Sequence, residues 1–389
     1  MSLNAERRKR IVTTHVGSLP RPDALTKIMA ADDFAAESPA SAAAIRDAVA
    51  EIVRKQAEVG VDIIDDGEQS KPGFVVYVMD RLSGVEPRTD DIGPHLTTRE
   101  TLSFPEVYAH GHAGYASHSG TLPPRFACTG PIRYTGHAQL RTDIENLKAV
   151  VKSAHLLDVF MPSASPTSIQ SWQVNRHYKS DEEWLFAIAE AMREEYEAIV
   201  EAGFMVQIDD PRLAMFYMLN PGKDVKECRH WAEGRVEALN YALRNIPSAR
   251  VRHHTCHGIN MGPRVNDMEM KNIIDIVLKI KANYYSFEAA NPRHEHEWLV
   301  WEGTKLAEGK AIMPGVVTHT SVIVEHPELV AQRIMRFAGL VGRENVIASV
   351  DCGFASTPRA VPEVHPTIVW EKLRSLTQGA RLASRELWR

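Results

Sequence analysis

The chain has 389 residues, of which 44% are hydrophobic and 24% charged, and its formal net charge is −5. That balance excludes intrinsic disorder and argues against a general nucleic-acid binder, which needs a basic face. No apolar run approaches the roughly 18 residues of a membrane span, and a chain this long can bury a core without disulfide or metal staples.

The N-terminal run MSLNAERRKR carries charge with no apolar stretch behind it, so no secretory signal is expected and the cytoplasm is the expected compartment. Eight short β-branched or apolar runs read as strands, at 11–16, 61–65, 126–129, 205–209, 251–256, 284–288, 312–317 and 346–351. Helical periodicity fills the stretches between them, at 41–59, 142–155, 181–202, 225–244, 267–281, 295–308, 327–341 and 367–386. The clearest stripe is Trp184, Ile188, Ala191, Met192, Tyr196 and Ile199, with Asp181 as the expected N-cap and Gly203 just past the C-terminus. Strands alternating with helices imply parallel pairing, and eight such units predict an α/β chain folded as one (β/α)₈ TIM barrel over residues 1–389. No phosphate-binding glycine fingerprint follows any strand, which would have favoured an open sheet. The long stretch 67–125, rich in Gly, Pro, His and Thr, reads as an insertion over the barrel mouth.

Barrel chemistry sits at the C-terminal ends of the strands. Those ends carry Gly17–Ser18, Asp65–Asp66–Gly67–Glu68, Asp209–Asp210, His254–Thr255–Cys256–His257, Glu288, Thr318–His319–Thr320 and Asp351–Cys352. His254 and Cys256 are two apart on one strand, so their side chains share a face. With Cys352 and Glu288 from other strands they make two thiols, an imidazole and a carboxylate, a donor set suited to zinc. The four cysteines, Cys128, Cys228, Cys256 and Cys352, are too scattered for a disulfide framework. The run NPRHEHEW holds His294 and His296, and reads as an exposed polar helix start more readily than as a second metal site.

The runs HVGSLPRP, DDGEQ, CTGP, VQIDDP, HHTCHG, YSFEAA, PGVV and SVDCGF, in this order and spacing, resemble the catalytic C-terminal barrel of the cobalamin-independent methionine synthases. The chain is similar to a short, single-barrel relative of that family. The resemblance implies a zinc-dependent transfer of a methyl group to the thiol of homocysteine. It implies His254, Cys256, Glu288 and Cys352 as Zn²⁺ ligands. Ser18, with the backbone around Val16 and Gly17, would hold the homocysteine carboxylate, and Glu68 and Asp209 its amino group. Four protein ligands would close the site, so Glu288 is expected to yield its place to the substrate sulfur. His319 is the expected catalytic acid, although it is displaced by one position from the family's His and Thr318 stands where an Asp is usual. The resemblance allows methyltetrahydrofolate or a methyl-corrinoid, the latter on a corrinoid protein partner, as donor. In the run TGPIRYTGHAQL, Tyr134 and His137 are the available stacking groups for a pterin. A related chemistry, opening an epoxide with a thiol such as coenzyme M, would need a cation near Glu68, and Lys71 is the nearby candidate.

Overall fold

The computed structural model describes residues 2–31, 34–90, 96–109, 125–152, 156–258, 262–355 and 364–389. Its strands in chain order are β1 (Val12–Thr13), β2 (Ile63–Ile64), β3 (Val85–Pro87), β4 (Phe126–Cys128), β5 (Asp158–Ala164), β6 (Gln173–Asn175), β7 (Met205–Asp209), β8 (Val251–Thr255), β9 (Tyr284–Phe287), β10 (Ala311–Val317) and β11 (Ile347–Val350). Eight of these form one sheet in the order β1-β11-β10-β9-β8-β7-β5-β2. Every pairing in it is parallel. A parallel bridge from Thr14 to Ile63 joins the two edges, so the sheet closes as the expected (β/α)₈ barrel.

The surrounding helices form because their apolar residues recur on one face. Helix Asp181–Glu201 buries Trp184, Ile188, Ala191, Met192, Tyr196 and Ile199. Its cap is Ser180 rather than Asp181: the Ser180 hydroxyl accepts from the Glu183 N–H, which leaves three acids in the first turn, where the helix dipole favours them. Gly203, at φ +96°, then turns the chain toward β7. No helix among the described residues is long and apolar enough to cross a membrane.

The third barrel strand differs from the sequence expectation. The run 126–129 supplies β4, which pairs antiparallel with β3 and parallel with β6 in a separate three-stranded sheet. The barrel position belongs to β5, between β2 and β7. The sequence of β5, DVFMPSA, carries Pro162 and Ser163, residues that usually mark breaks. The connection after β2 therefore runs on to Leu157 and includes helix His137–Val151, whose expected end at 153–155 lies outside the described residues. The helices expected at 267–281 and 295–308 are short turns instead: Met270–Asn272, Ile274–Val277 and the 3-10 segment Glu295–Glu302. Buried side chains take the backbone groups that longer helices would use. Glu297 accepts from the Met270 N–H, and the Tyr285 hydroxyl donates to the carbonyls of Ile280 and Ala282.

The barrel interior is layered. An apolar plug that includes Leu3, Val12, Phe160, Met205, Tyr284, Met313 and Ile347 fills the lower part. Above it lies the buried Arg252, its guanidinium 3.7 Å from the centre of the Phe160 ring. Arg252 donates to Thr14 Oγ1 (3.0 Å) and to the His15 carbonyl (2.7 Å), and Gln207 Nε2 donates to the Val16 carbonyl (2.8 Å). These bonds fix the exit of β1, from which Val16–Ser18 reach the mouth.

Gly315 in β10 allows a close approach to β11. A Cβ there would lie 2.1 Å from Asp351 Oδ1 and 2.7 Å from its Cα. Gly315→Ala is expected to destabilise the fold by about 1–3 kcal/mol. A denaturant titration should show a lower midpoint at unchanged slope; an unchanged midpoint contradicts this packing.

Candidate functional site

The residues picked out at the strand ends converge at the C-terminal mouth of the barrel. Arg252, His254 and Cys256 alternate along β8 and its exit, so all three face inward. His254 is buried; its Nδ1 lies 3.1 Å from Ser286 Oγ, and its Nε2 has no hydrogen-bond partner. Burial outweighs the attraction of Glu288 and pushes the imidazole down to about 3, so it is neutral, the form that can ligate a metal. Cys256 Sγ lies 3.1 Å from Cys352 Sγ, and both thiols are free and buried. The neighbouring Cys256 thiol and burial push the Cys352 thiol well up. One donor atom each from His254, Cys256 and Cys352 fits within 4.8 Å.

Glu288, just beyond β9, stands beside this trio rather than in it. Its Oε1 is 4.0 Å from Cys256 Sγ and accepts from the His257 N–H (3.1 Å). Its Oε2 pairs with Arg264 Nη1 (2.8 Å) and accepts from Asn291 Nδ2 (2.9 Å). Burial alone would raise the pKa of this carboxyl, but the Arg264 charge holds it well below the ordinary range. Asp351 secures the same loop: Oδ1 accepts from the Ala289 and Ala290 N–H groups (2.7 and 2.8 Å), and Oδ2 from Asn291 Nδ2 (3.0 Å).

A small cavity opens above the trio. His254, Cys256 and Cys352 form its floor, and Val16, Ser18, Glu68 and Asp209 part of its wall. Gly17 does not line it, but it shapes the turn: at φ +119° it leaves no room for a side chain, whose Cβ would lie 2.8 Å from Pro162 Cγ. Ser18 is held close because Gly353 has no Cβ; one there would come within 2.1 Å of Ser18 Oγ. Glu68 is a non-glycine residue at φ +55°, a costly conformation that its surroundings maintain. Asp66 Oδ1 accepts from the Glu68 N–H (2.9 Å), and buried Arg21 donates to the carbonyls of Glu68 (2.6 Å) and Lys71 (2.8 Å). Asp209 accepts from Gln207 Nε2 (2.9 Å); burial and the charge of Glu68 raise its pKa well above the usual range.

His319 is 2% exposed, so it is no solvent-facing loop residue. A ring nitrogen of His319 lies within 4.8 Å of carboxylate oxygens of both Glu288 and Asp351. His294 is also buried, contrary to the exposed helix start expected for NPRHEHEW, while His296 is exposed. Its ring bridges Asp267 (3.1 Å) and Glu297 (2.9 Å) and stacks on His257 with centroids 4.1 Å apart. Burial alone would lower its pKa, but these two carboxylates raise it to about 9, and a protonated imidazole is no metal ligand. Tyr134 is turned inward, its hydroxyl donating to Glu195 Oε2 (2.6 Å), and His137 pairs with Glu194. Neither belongs to the cavity wall. Pro211, next to the strand-end pair Asp209–Asp210, does, as do Phe74 and Gly258, which sequence reasoning passed over, as it did Arg264 and Asn291. Arg21 stood in the HVGSLPRP run and could have been noticed there.

A family model described as "Cobalamin-independent synthase, Catalytic domain" matches residues 11–97 and 131–368. A methionine synthase of Saccharolobus solfataricus is 25% identical over 396 aligned residues, covering 97% of this chain and 96% of its own. One from Thermococcus kodakarensis is 23% identical, covering 97% and 94%. Among solved structures, a B12-independent methionine synthase from Shewanella sp. W3-18-1, in complex with selenomethionine, superposes with a TM-score of 0.72 at 19% identity, covering 97% of this chain and 99% of that one.

The His294 cluster has a pH signature. Its pKa is raised on folding, so its stabilisation is fully present below about 6.5, the unfolded value, and is lost as pH rises through about 9. Wild-type stability is expected to fall across that window by up to about 3 kcal/mol, and His294→Gln should flatten the dependence. Parallel pH curves for the two proteins contradict the assignment.

Proposed function

The chain belongs to the family of the cobalamin-independent synthase catalytic domain, and on that premise we propose that it is a zinc-dependent methyltransferase acting on the thiol of homocysteine. The observation that carries this reading is the cavity itself, with two thiols and an imidazole on its floor and two carboxylates and a serine on its wall. The floor fits a soft divalent cation. His254 Nε2 is a buried nitrogen with no hydrogen-bond partner, and a metal would satisfy it while taking both thiolates. Zinc, when bound there, would supply the charge that keeps a substrate thiol ionised at neutral pH, where a free thiol with pKa near ~8.5 is mostly protonated.

The chain's own residues supply the rest. Glu68 and Asp209 crowd two carboxylates into a buried wall, and a substrate ammonium entering between them relieves their repulsion. Ser18 Oγ and the backbone around Val16 and Gly17 receive the carboxylate of the same amino acid. Glu288, held by Arg264 and Asn291, leaves room beside the thiols for the sulfur. His319, buried beside Glu288 and Asp351, serves in this reading as the acid that delivers a proton to the departing methyl donor. In this reading the donor is methyltetrahydrofolate or a methyl-corrinoid, and Tyr134 is not its stacking platform. A sulfonate-bearing thiol suits the cavity less well. Lys71 Nζ, although 4.0 Å from Glu68, donates to the Pro162 carbonyl behind the wall and sits over the Tyr77 ring. The described part of the 67–125 segment serves in this reading as a cover: it contributes Phe74 to the cavity, and its helix Arg99–Ser103 bonds to the loop that carries Arg264.

Two measurements test this. Elemental analysis of freshly reduced protein should give about one zinc per chain, lost in Cys256→Ser and in Cys352→Ser; zinc-free wild type would overturn the reading. Asp209→Asn should raise the KM for homocysteine by roughly 100-fold, the effect of removing one partner of a buried charge pair, while zinc content stays unchanged. An unaltered KM would remove Asp209 from the amino-group site.

A further inference from the structure

His15 stands at the exit of β1, two residues before Gly17, and is 1% exposed. Its ring meets Phe160 of the apolar plug edge-on, with centroids 5.4 Å apart. Its Nε2 lies 2.6 Å from Gln56 Oε1, and its Nδ1 accepts the Gly17 N–H at 3.2 Å. These partners assign the tautomer. A peptide N–H can only donate, so Nδ1 is bare, and Nε2 carries the proton and donates to Gln56. Gln56, in helix Pro39–Val59, is turned to match. Its Nε2 donates to the Ile52 and Asp65 carbonyls (3.2 and 2.9 Å), and its Oε1 also accepts the Asp65 N–H (3.2 Å). Burial outweighs the Gln56 bond and pushes the His15 imidazole down to about 3, so the ring stays neutral and Nδ1 keeps its lone pair.

The bond from Gly17 grips one end of a single peptide unit. The other end, the Val16 carbonyl, accepts from Gln207 Nε2 at 2.8 Å. The Val16–Gly17 peptide plane is therefore held on both sides, and the preceding carbonyl, that of His15 itself, accepts from Arg252 (2.7 Å). The plane so fixed carries the chain through Gly17 at φ +119° and into Ser18, which lines the cavity. The Ser18 carbonyl accepts from the Phe354 N–H (2.9 Å) and its Oγ from the Ala355 N–H (3.3 Å), but among the described residues nothing accepts its own N–H. With the Gly17 N–H taken by His15, the N–H and the hydroxyl hydrogen of Ser18 remain as donors for an anion.

We propose that His15 is a positioning residue for the substrate amino acid: its Nδ1, by taking the Gly17 N–H, locks the Val16–Gly17 peptide and so presents the Ser18 N–H and hydroxyl to the substrate carboxylate. This deepens the homocysteine reading and rests on it. Without an acceptor at the place of Nδ1, the peptide is held by Gln207 alone. The plane can then rotate, and the Ser18 donors lose their alignment.

The test compares His15→Asn with His15→Gln in full-length protein supplied with zinc. The side-chain amide of Asn reaches the place of Nδ1, where its oxygen can accept the Gly17 N–H. That of Gln reaches the place of Nε2 and keeps only the bond to Gln56. Calorimetric titration reads the Kd of homocysteine and of 3-aminopropane-1-thiol, which is homocysteine without its carboxylate. The homocysteine Kd is expected to rise about tenfold in the Gln variant, the size of one hydrogen bond to a charged group. The Asn variant should match wild type, and the Kd of the carboxylate-free thiol should be the same in all three proteins. An unchanged homocysteine Kd in the Gln variant, weakening of both thiols alike, or equal weakening in Asn and Gln would overturn the proposal and leave His15 a packing residue. Amide exchange at Gly17 in metal-free protein separates this from the reading it rests on. It should be about fivefold faster in the Gln variant and unchanged in the Asn variant. If wild type binds homocysteine no more tightly than the carboxylate-free thiol, the carboxylate site at Ser18 fails. Exchange at Gly17 then decides whether His15 locks the turn, and equal exchange in all three proteins overturns that as well.

Discussion

The mouth of this barrel depends on one buried carboxylate, Asp351. It stands at the end of β11, next to Cys352, and reaches across β10 to grip the backbone of Ala289 and Ala290 and the side chain of Asn291. The strand it crosses carries Gly315, and only a residue without a Cβ permits the approach. One side chain thereby couples the loop that bears Cys352 to the loop that bears Glu288. Burial and the nearby Glu288 charge raise the Asp351 pKa to about 6, and the three donors act against that rise. A buried anion of this kind is tolerated because every oxygen is bonded, and leaving any of those bonds unmade would be costly.

A similar economy runs through the rest of the interior. The lower barrel is filled with apolar side chains, but the layer beneath the site is polar and hydrogen-bonded to the strand exits. Arg252 binds the β1 exit, Gln207 ties that exit to Asp209, and Arg21 gathers the turns after β1, β2 and β11 by donating to the carbonyls of Glu68, Lys71 and Ala355. These bonds hold Ser18, Glu68 and Asp209 around a single cavity, although they arise from strands far apart in the sequence. The two positive-φ side chains, Glu68 and Arg264, are placed where such bonding can sustain their strain. Pre-organisation of this kind reduces the reorganisation needed when a charged amino acid enters.

Much of this was legible in the sequence, for identifiable reasons. Period-two spacing placed His254 and Cys256 on one face, and position at strand ends brought Cys352, Glu288, Glu68 and Asp209 to the same mouth. Long apolar stripes gave the helices around 181–201 and 327–341 nearly to the residue. The misreadings also have physical causes. A short apolar run such as Phe126–Cys128 specifies a strand but not its sheet, and Pro162 disguised β5. His294 looked exposed among charged neighbours, yet two of those charges turn inward to pair with it. Arg264 left no trace, because a backbone conformation and a contact between distant loops have no local periodicity.

The account rests on the floor of the cavity holding a metal through His254, Cys256 and Cys352, with one place left for a substrate thiol. X-ray absorption at the zinc edge, on protein with and without homocysteine, tests this most directly. The account predicts two sulfur neighbours in the free protein and three once homocysteine is added. A sulfur count that stays at two with homocysteine bound would contradict it.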